Sequence, residues 1–388
     1  MIQLKSVAHY VTDKINVSEL KKSEYITTDN MLPNRNGIVE CEELPKAINV
    51  TRYIPGDILI SNIRPYFKKI WYSTRTSGCS NDVIVFRTND DTVDSKFLYY
   101  VLSDDAFFGY MMSGANGTKM PRGNKELIPN YLIPEYDIKK QIKIANILSN
   151  YDDLIKNNQQ QIKLLEEVAQ RYYKEWFINL HFPGYKNTKI VGDMPEGWKY
   201  KLVSEFGDVI TGKTPSTAKS EYYEGNIPFV TIPDMHNNVF PLTTEKTLTK
   251  AGADTQKNKY LPASSVIVSC IATVGLVNIA VEPCQTNQQI NSVVLYNEND
   301  LYFFYESMKR IKDLLDGVGS NGATMTNVNK TKFSNIKILY PTEDLVIKYN
   351  QFCKPIFDKI LTLSKSMLLS YQARDLLLPK LMNGEIDI

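Results

Sequence analysis

One stretch of the chain matches a motif with well-defined chemistry, the loop that holds nucleotide phosphates. Residues 207–214 read GDVITGKT and fit the pattern G-x-x-x-x-G-K-[S/T]. Such a loop needs a helix directly after it, because the helix N-terminus completes the anion site. Residues 215–225 read PSTAKSEYYEG and lack the apolar periodicity of a helix. We therefore predict no ATP site and interpret Lys213 as a cation on a polar loop that could contact a DNA backbone.

Other catalytic signatures are absent from the sequence. The three histidines lie far apart, and the five cysteines are an odd number with no C-x-x-C pair, so neither a zinc site nor a disulfide framework is expected. The N-P-P-aromatic sequence of adenine methyltransferases does not occur. These absences favour a recognition protein over an enzyme, in a reducing cytoplasmic setting.

Polar loops supply the groups that recognise DNA, because Arg can pair with guanine, Asn and Gln with adenine, and Lys with phosphate. Residues 62–69 (NIRPYFKK) mix cations with aromatic side chains, and residues 119–125 (KMPRGNK) form a second basic loop. The candidates for DNA contact are Arg64, Tyr66, Lys68, Lys69, Lys119 and Arg122 in the first half, and Lys213, Asn287, Gln288, Gln289 and Asn321 in the second. At each candidate, the alternative is a solvated position or a contact that supports the fold.

The chain as a whole is nearly neutral. Its formal net charge is +2 over 388 residues, and its 43% hydrophobic and 23% charged residues are ordinary for a globular protein of two domains. A free-standing DNA-binding protein is usually more basic. A role in DNA binding therefore requires positive charge that is clustered or partly supplied by partners. The uncharged stretch 260–281 is rich in β-branched residues and contains a proline, so we predict two buried strands there and no membrane span.

An internal repeat organises these loops. Residues 113–134 read SGANGTKMPRGNKELIPNYLIP, and residues 319–341 read GSNGATMTNVNKTKFSNIKILYP. Each copy runs into a long helical segment, which predicts two globular domains related by an approximate internal two-fold. Such a molecule suits duplex DNA with two half-sites, whose spacing is set by protein geometry.

Short β-branched or aromatic runs between turn residues predict strands in both halves. The runs are 57–60, 70–72 and 82–86 in the first half, and 227–232, 266–268, 276–281 and 293–295 in the second. Both halves thus combine short strands with irregular loops, which predicts an α+β fold.

Two long helices are predicted from heptad periodicity. Residues 137–177 contain no Pro or Gly, and Asp137 can cap the helix start. Apolar residues then recur at steps of three and four, the pattern of a helix packed along another helix. The first seam comprises Leu148, Tyr151, Ile155, Asn158, Ile162, Leu165, Ala169, Tyr172 and Trp176, and the second Ile356, Ile360, Leu363, Met367, Ser370, Arg374, Leu377 and Leu381.

The two seams can satisfy each other as an antiparallel pair. About 40 residues make a rod of roughly 60 Å, which separates two domains. The alternative is that each helix packs on its own domain. We expect Pro355 to kink or restart the second helix, and Pro379 and Gly384 to end it. Asn158 either fixes the register of the pair or lies solvated near its end.

Several stretches in order resemble the specificity subunit of type I restriction–modification systems, and the resemblance covers essentially the whole chain. The stretches are GDILISNIRPYFKKIW (56–71), SGCSNDVIVFR (77–87), RYYKEWFINLHFPGY (171–185), PEGWKYKLVSEFGDVITGKTP (195–215), YYEGNIPFVTIPDM (222–235), TNQQINSVVL (286–295) and RDLLLPKLMNGEIDI (374–388). The G-x-T-P loop of that family also accounts for the phosphate-loop match. The N-terminal stretch of the first domain departs from the PEGW opening of the second.

The resemblance implies two similar target-recognition domains, each reading one half of a bipartite double-stranded DNA target. It implies boundaries of 1–136 for the first domain, 137–181 for the central helix, 182–341 for the second domain and 342–388 for the C-terminal helix. The helices would pair as an antiparallel coiled coil, set the spacer and dock two methyltransferase subunits.

The chemistry would then reside in partner subunits. The methyltransferase subunits would carry S-adenosylmethionine and methylate adenine, and motor–nuclease subunits would use ATP and Mg. This chain would be non-catalytic and bind neither cofactor. A stand-alone DNA-binding regulator, a phosphate-loop ATPase and a scaffold protein with coiled-coil arms are the alternatives.

Overall fold

The computed structural model describes residues 1–117, 119–316 and 327–388. The described chain forms two compact units, and each includes part of both long helices. The first unit comprises Met1–Ile155 and Leu369–Ile388, and the second comprises Lys156–Leu368.

The first unit is built on a four-stranded antiparallel sheet. Its strands are β1 (Ile2–Gln3), β2 (Ala8–Tyr10), β3 (Lys14–Asn16), β4 (Asn49–Tyr53), β5 (Ile58–Ser61), β6 (Ile70–Tyr72), β7 (Ser77–Cys79), β8 (Val83–Thr88) and β9 (Leu132–Ile133). Its helices are α1 (Leu4–Val7), α2 (Ser95–Ser103), α3 (Asp105–Ser113) and the start of α4 (Ile138–Tyr173). The main sheet has the order β2-β8-β5-β6, a smaller sheet the order β3-β4-β7, and β1 pairs with β9.

The second unit repeats this plan. Its strands are β10 (Ile190–Val191), β11 (Met194–Pro195), β12 (Lys199–Leu202), β13 (Gly207–Thr211), β14 (Tyr223–Val230), β15 (Lys246–Leu248), β16 (Val266–Ser269), β17 (Val277–Ile279), β18 (Gln285–Thr286), β19 (Ile290–Leu295) and β20 (Lys337–Tyr340). Its helices are α5 (Val203–Phe206), α6 (Ile232–Met235), α7 (Lys250–Asp254), α8 (Leu301–Lys309), α9 (Ile311–Asp316), α10 (Lys330–Ser334) and the start of α11 (Glu343–Met382). The sheet orders are β13-β19-β16-β17 and β15-β14-β18, and β12 pairs with β20.

The two main sheets have the same topology. If the four strands of each sheet are numbered in sequence order, both sheets have the spatial order 1-4-2-3. The smaller sheets differ, because β3 precedes its partner β4 whereas β15 follows its partner β14. The predicted α+β fold with two similar domains is confirmed. Each predicted run overlaps a strand of the structure, although the run 227–232 extends past the end of β14 into α6. The stretch 260–281 contains β16 and β17.

Helix α4 begins as predicted. The Asp137 carboxylate accepts a hydrogen bond from the backbone N–H of Lys140 at 2.9 Å, which satisfies one free donor of the first turn. After Tyr173 the helix continues for one π turn, Lys174–Ile178.

Helix α11 contradicts the predicted restart at Pro355 and the predicted end at Pro379. It runs without a break from Glu343 to Met382, so Pro355 starts no new helix and Pro379 lies inside the last turns. Proline removes one helical hydrogen bond, but the flanking residues Cys353 and Phe357 are fully buried in the core, and this packing holds the helix together. The chain leaves the helix at Gly384, which has a left-handed φ of 79°.

The helices run antiparallel within each unit. In the first unit, the Tyr136 hydroxyl donates to the Met382 carbonyl at 3.1 Å and Arg374 pairs with Asp152 at 2.7 Å. In the second, the Asn158 amide donates to the Ser366 hydroxyl at 3.2 Å and the Tyr349 hydroxyl to the Ala169 carbonyl at 3.0 Å. Residues further along α4 therefore contact residues nearer the start of α11.

The helices also belong to the cores of their units, so the two packing alternatives coexist. Tyr173 of α4, Phe177 of the π turn that follows it, and Tyr349 and Phe357 of α11 lie in the large core of the second unit. Among the seam residues, Leu148, Ile155, Ile360 and Leu363 are buried, and Tyr151, Ile162, Leu165, Ile356, Met367 and Leu377 are partly buried. Asn158 is 3% exposed, which contradicts the solvated alternative for this residue.

Candidate nucleic-acid interface

The structure brings the two basic loops of the first unit together. The backbone N–H of Arg64 donates to the carbonyl of Pro121 at 2.8 Å, and that of Gly123 to the carbonyl of Asn62 at 3.1 Å. A single β-bridge joins Ile63 to Arg122. The end of β5 and the start of β8 therefore carry one composite loop surface, which we call the first tip (residues 62–69, 80–82, 116–117 and 119–125).

Two predicted cations of the first tip support the fold. The Lys68 ammonium pairs with Asp105 at 2.8 Å, and Arg35 pairs with the same carboxylate. Burial would raise the pKa of Asp105, but the hydrogen bonds from Lys68 and Arg35 hold that pKa below its usual value. The Lys69 ammonium donates to the Thr28 carbonyl at 2.6 Å, and burial lowers its pKa. Both ammonium groups thus already have partners inside the unit.

Other members of the first tip remain accessible. Tyr66 is exposed and packs against Phe67 with ring centroids 4.7 Å apart. Lys119 and Arg122 are exposed, and Arg122 forms an ion pair of 3.3 Å with Asp82. Arg64 is half-buried and adopts a left-handed φ of 49°. Its Nε atom is buried without a hydrogen-bond partner within the described part of the chain.

In the second unit, the Gly212–Lys213 loop lies on the chain that joins β18 to β19. The backbone N–H of Lys213 donates to the Thr286 carbonyl at 2.9 Å, and that of Gly212 to the Ile290 carbonyl at 3.1 Å. A Cβ atom at Gly212 would lie 2.2 Å from the Asn287 carbonyl oxygen, so the close approach requires glycine.

This contact gathers the polar candidates of the second unit into a second tip (residues 212–214, 270–276, 287–289 and 327). The Thr214 hydroxyl donates to the side-chain oxygen of Gln288 at 2.7 Å, and the Asn287 amide donates to Gln289 at 3.1 Å. Lys213 and Gln288 are exposed. Asn321 lies outside the described residues.

The elements around this loop differ from those of a phosphate-binding loop. Strand β13 leads into the loop, but the chain after Thr214 continues to a single 3₁₀ turn, Ser220–Tyr222, and then to β14. No long helix follows the loop in residues 215–230, so the chain lacks there the helix N-terminus whose partial charge supports a bound phosphate.

The two tips are equivalent in their backbone hydrogen bonds. In the first, Asn62 donates to the Asp82 carbonyl at 2.8 Å; in the second, Cys270 donates to the Gln289 carbonyl at 2.9 Å. The Gly123 bond to Asn62 likewise has its counterpart in the bond from Val328 to Cys270, at 2.8 Å. The bridge between Ile271 and Asn327 matches that between Ile63 and Arg122.

This equivalence identifies residues that sequence reasoning overlooked. Asp82 matches the predicted candidate Gln289, and Asn327 matches the predicted candidate Arg122, so Asp82 and Asn327 are the overlooked members of the two pairs. The exposed Thr273, also overlooked, lies on the counterpart of the 62–69 loop. A signal was present, since SND (80–82) and NQQ (287–289) each directly precede the strand that comes last in sequence in its main sheet. Their dissimilar side chains hid the correspondence.

The described residues offer no cluster of three or more His, Cys, Asp or Glu side chains that could hold a metal ion. The five cysteines are free and buried. Within the described ranges, no helix is long and apolar enough to cross a membrane. The polar groups of the tips can donate and accept hydrogen bonds, which suits recognition of a polar surface.

Comparisons with known proteins agree with these features. The model of the type I restriction modification DNA specificity domain matches residues 2–167 and 195–347. The chain is 29% identical to the type I restriction enzyme HindI specificity subunit of Haemophilus influenzae, over 99% of this chain and 98% of that protein. It is 25% identical to the type I restriction enzyme MjaIX specificity subunit of Methanocaldococcus jannaschii, over 77% of this chain and 70% of that protein.

A solved structure shares the fold. The crystal structure of a type I restriction–modification S subunit from M. genitalium aligns with a TM-score of 0.61 at 16% identity, covering 100% of this chain and 96% of that one. Two matched domains, at the same places as the two main sheets, indicate that the repeat seen in the fold is the repeat of the family model.

Proposed function

Because the chain belongs to the family of type I restriction–modification DNA specificity subunits, we propose that it selects a bipartite DNA target for catalytic partners. Each unit reads one half of a double-stranded site through its tip. The observation that carries the proposal is the pair of equivalent tips. They share backbone hydrogen bonds and a β-bridge but carry different side chains. Equal frames with unequal side chains suit two half-sites of different sequence.

The tips contain the groups that such reading needs. Arg122 and Arg64 in the first tip can pair with guanine, and Asn287 and Gln288 in the second can pair with adenine. Lys119 and Lys213 are exposed cations that can contact phosphates. Lys68 and Lys69, by contrast, make contacts that support the fold.

The two long helices set the spacer between the half-sites in this proposal. Helices α4 and α11 have 36 and 40 residues, and each continues from one unit into the other. A helix rises about 1.5 Å per residue and does not stretch, so its length is a fixed measure.

The same helices would dock two methyltransferase subunits. Both carry large apolar side chains that are exposed in this chain: Leu154, Leu164 and Val168 on α4, and Leu369 and Leu376 on α11. Exposed apolar groups on a helix pair are suited to covering by partner helices. The partners would contribute S-adenosylmethionine for adenine methylation, and motor–nuclease subunits would contribute ATP and Mg. The chain itself would be non-catalytic and act in the cytoplasm.

Modified-base sequencing of host DNA, with the gene present and deleted, tests the proposal. We expect N6-methyladenine to vanish from one motif of two short halves and a fixed gap when the gene is deleted. An unchanged methylation map in a host that expresses the assembled complex would contradict it.

A further inference from the structure

The two tips differ most clearly at one pair of equivalent positions. In the first tip, Asp82 and Arg122 form an ion pair of 3.3 Å, and their side chains are 42% and 56% exposed. In the second tip, the same places hold Gln289 and Asn327, which are neutral amides. We propose that Arg122, oriented by Asp82, reads a guanine in the half-site bound by the first unit. This inference rests on the proposed function.

The backbone at Arg122 is fixed from both directions. Its N–H donates to the Asn116 carbonyl at 3.0 Å, and its carbonyl accepts from the Asn116 N–H at 3.0 Å. The next residue, Gly123, is buried so closely that an added Cβ would lie 2.8 Å from the Asn62 side-chain oxygen and 2.9 Å from Met111. A side chain that distinguishes bases needs such a fixed backbone, because a mobile backbone would let it contact several different base pairs.

The guanidinium keeps free donors for a base. Arg has five N–H donors in a planar fork, and the contact with Asp82 uses the Nη2 end. Guanine presents two acceptors, O6 and N7, in the major groove, and two parallel bonds from Arg fit them. The carboxylate of Asp82 would limit the rotation of the guanidinium, so Asp82 is a positioning residue.

Other cations of the first tip are less suited to this role. Lys68 and Lys69 are held by Asp105 and the Thr28 carbonyl, and a lysine cannot make the planar two-bond contact. Arg64 has its Nε buried. The amides of Gln289 and Asn327 match adenine better than guanine, so the second unit should lack a guanine requirement at its equivalent position.

The test is the methylation motif written by the complex of this chain with its partner subunits. Arg122→Gln and Arg122→Lys should both relax the requirement for guanine at one position of one half, by roughly ten- to hundredfold in relative methylation. Asp82→Asn should relax the same position more weakly. The other half and the spacer should stay unchanged, as should the motif of Lys21→Gln, an exposed cation of the same unit paired with Glu24 at 3.9 Å.

Three outcomes would overturn the assignment. The first is a wild-type motif without a G·C pair in either half. The second is a motif that Arg122→Gln leaves unchanged. The third is full guanine preference in Arg122→Lys, which would indicate a phosphate contact made by charge alone. A variant that writes no methylation is examined by competition binding with duplexes differing at that base pair, where a retained guanine preference also overturns the assignment. A wild-type complex that writes no bipartite motif would instead contradict the proposed function.

Discussion

Lys213 combines an exposed ammonium with a fixed main chain. Its N–H donates to the Thr286 carbonyl at 2.9 Å, and its carbonyl accepts from the Gln256 amide at 2.6 Å. Gln256 is itself buried and bonded to Gln285 at 2.8 Å. This network holds the loop in place without using the lysine side chain, which leaves the ammonium available to a phosphate.

Lys213→Ala should therefore weaken DNA binding by the assembled complex equally for all sequences. The salt dependence of log K should become shallower by about one unit, since one phosphate contact is lost. Binding titrations at several salt concentrations measure this, with Lys354→Ala on α11 as the control. A change in base preference instead of salt slope would mean that Lys213 reads a base.

Glu306 is a buried acid in the core of the second unit. Burial, with a smaller contribution from the neighbouring Glu166, raises its pKa from 4.5 to about 7 against the lowering effect of Lys309. Its Oε1 atom has no hydrogen-bond partner within the described residues. A raised folded-state pKa means that the folded protein binds the proton more tightly, so stability declines as the pH rises from about 4.5 through about 7.

Glu306→Gln should remove that decline, because the amide stays neutral. The melting temperature at pH 8 should rise by about 2–4 °C for each kcal/mol of relieved desolvation, and the difference should vanish near pH 4. Thermal unfolding at a series of pH values measures this. The Glu166 carboxylate disfavours the ionised form of Glu306, so Glu166→Gln should lower the pKa of Glu306 and shift the decline in stability to lower pH. A shift to higher pH would contradict this interpretation.

At the scale of elements, the helix pair carries polar contacts within an apolar seam. The Arg374 side chain is only 10% exposed and pairs with Asp152 and Asp375 at 2.7 and 2.8 Å. The Tyr100 hydroxyl donates to the other oxygen of Asp152 at 2.6 Å. The buried Arg374–Asp152 pair fixes the register of the two helices, because sliding one helix along the other would leave the arginine without its partner.

Asp152→Ala should destabilise the first unit by about 1–3 kcal/mol, because Arg374 and Tyr100 lose an acceptor inside the protein. Chemical unfolding of the purified chain measures the change. The double variant Asp152→Leu with Arg374→Met should recover part of the loss, since both charges are removed together. A double variant that is less stable than Asp152→Ala would contradict the pairing argument.

At the scale of the whole molecule, the boundary between the units crosses both long helices. It lies between residues 155 and 156 on α4 and between 368 and 369 on α11. If the helices set the spacer, these are the places where length can be changed without altering either tip.

Inserting one heptad at both places should lengthen the preferred spacer by up to about three base pairs, because seven residues add about 10.5 Å and a base pair spans about 3.4 Å. Both half-sites should keep their sequence. Modified-base sequencing reads out spacer and half-sites together. A changed half-site preference with an unchanged spacer would contradict the proposal that the helices set the spacer length.

The sequence by itself determined the elements and their repetition. Heptad spacing predicted both helices, and the two similar stretches predicted two similar domains. β-Branched runs predicted β5, β6, β8, β14, β16, β17 and β19 but missed other strands, such as β2 and β13. Each of these signals is carried by residues close together in the chain. The same local reasoning was wrong about a restart at Pro355 and an end at Pro379, where tertiary packing outweighs the cost of a proline in a helix.

Only the tertiary structure decided which polar residues share a surface. Lys68 and Lys69 are bound by Asp105 and Thr28, whereas Arg122 is exposed and set against Asp82. These contacts join residues about 40 positions apart, and a side chain's partner at such a distance depends on the path of the whole sheet. Residue type therefore indicated what each loop could bind, while the fold selected the groups that remain free to bind it.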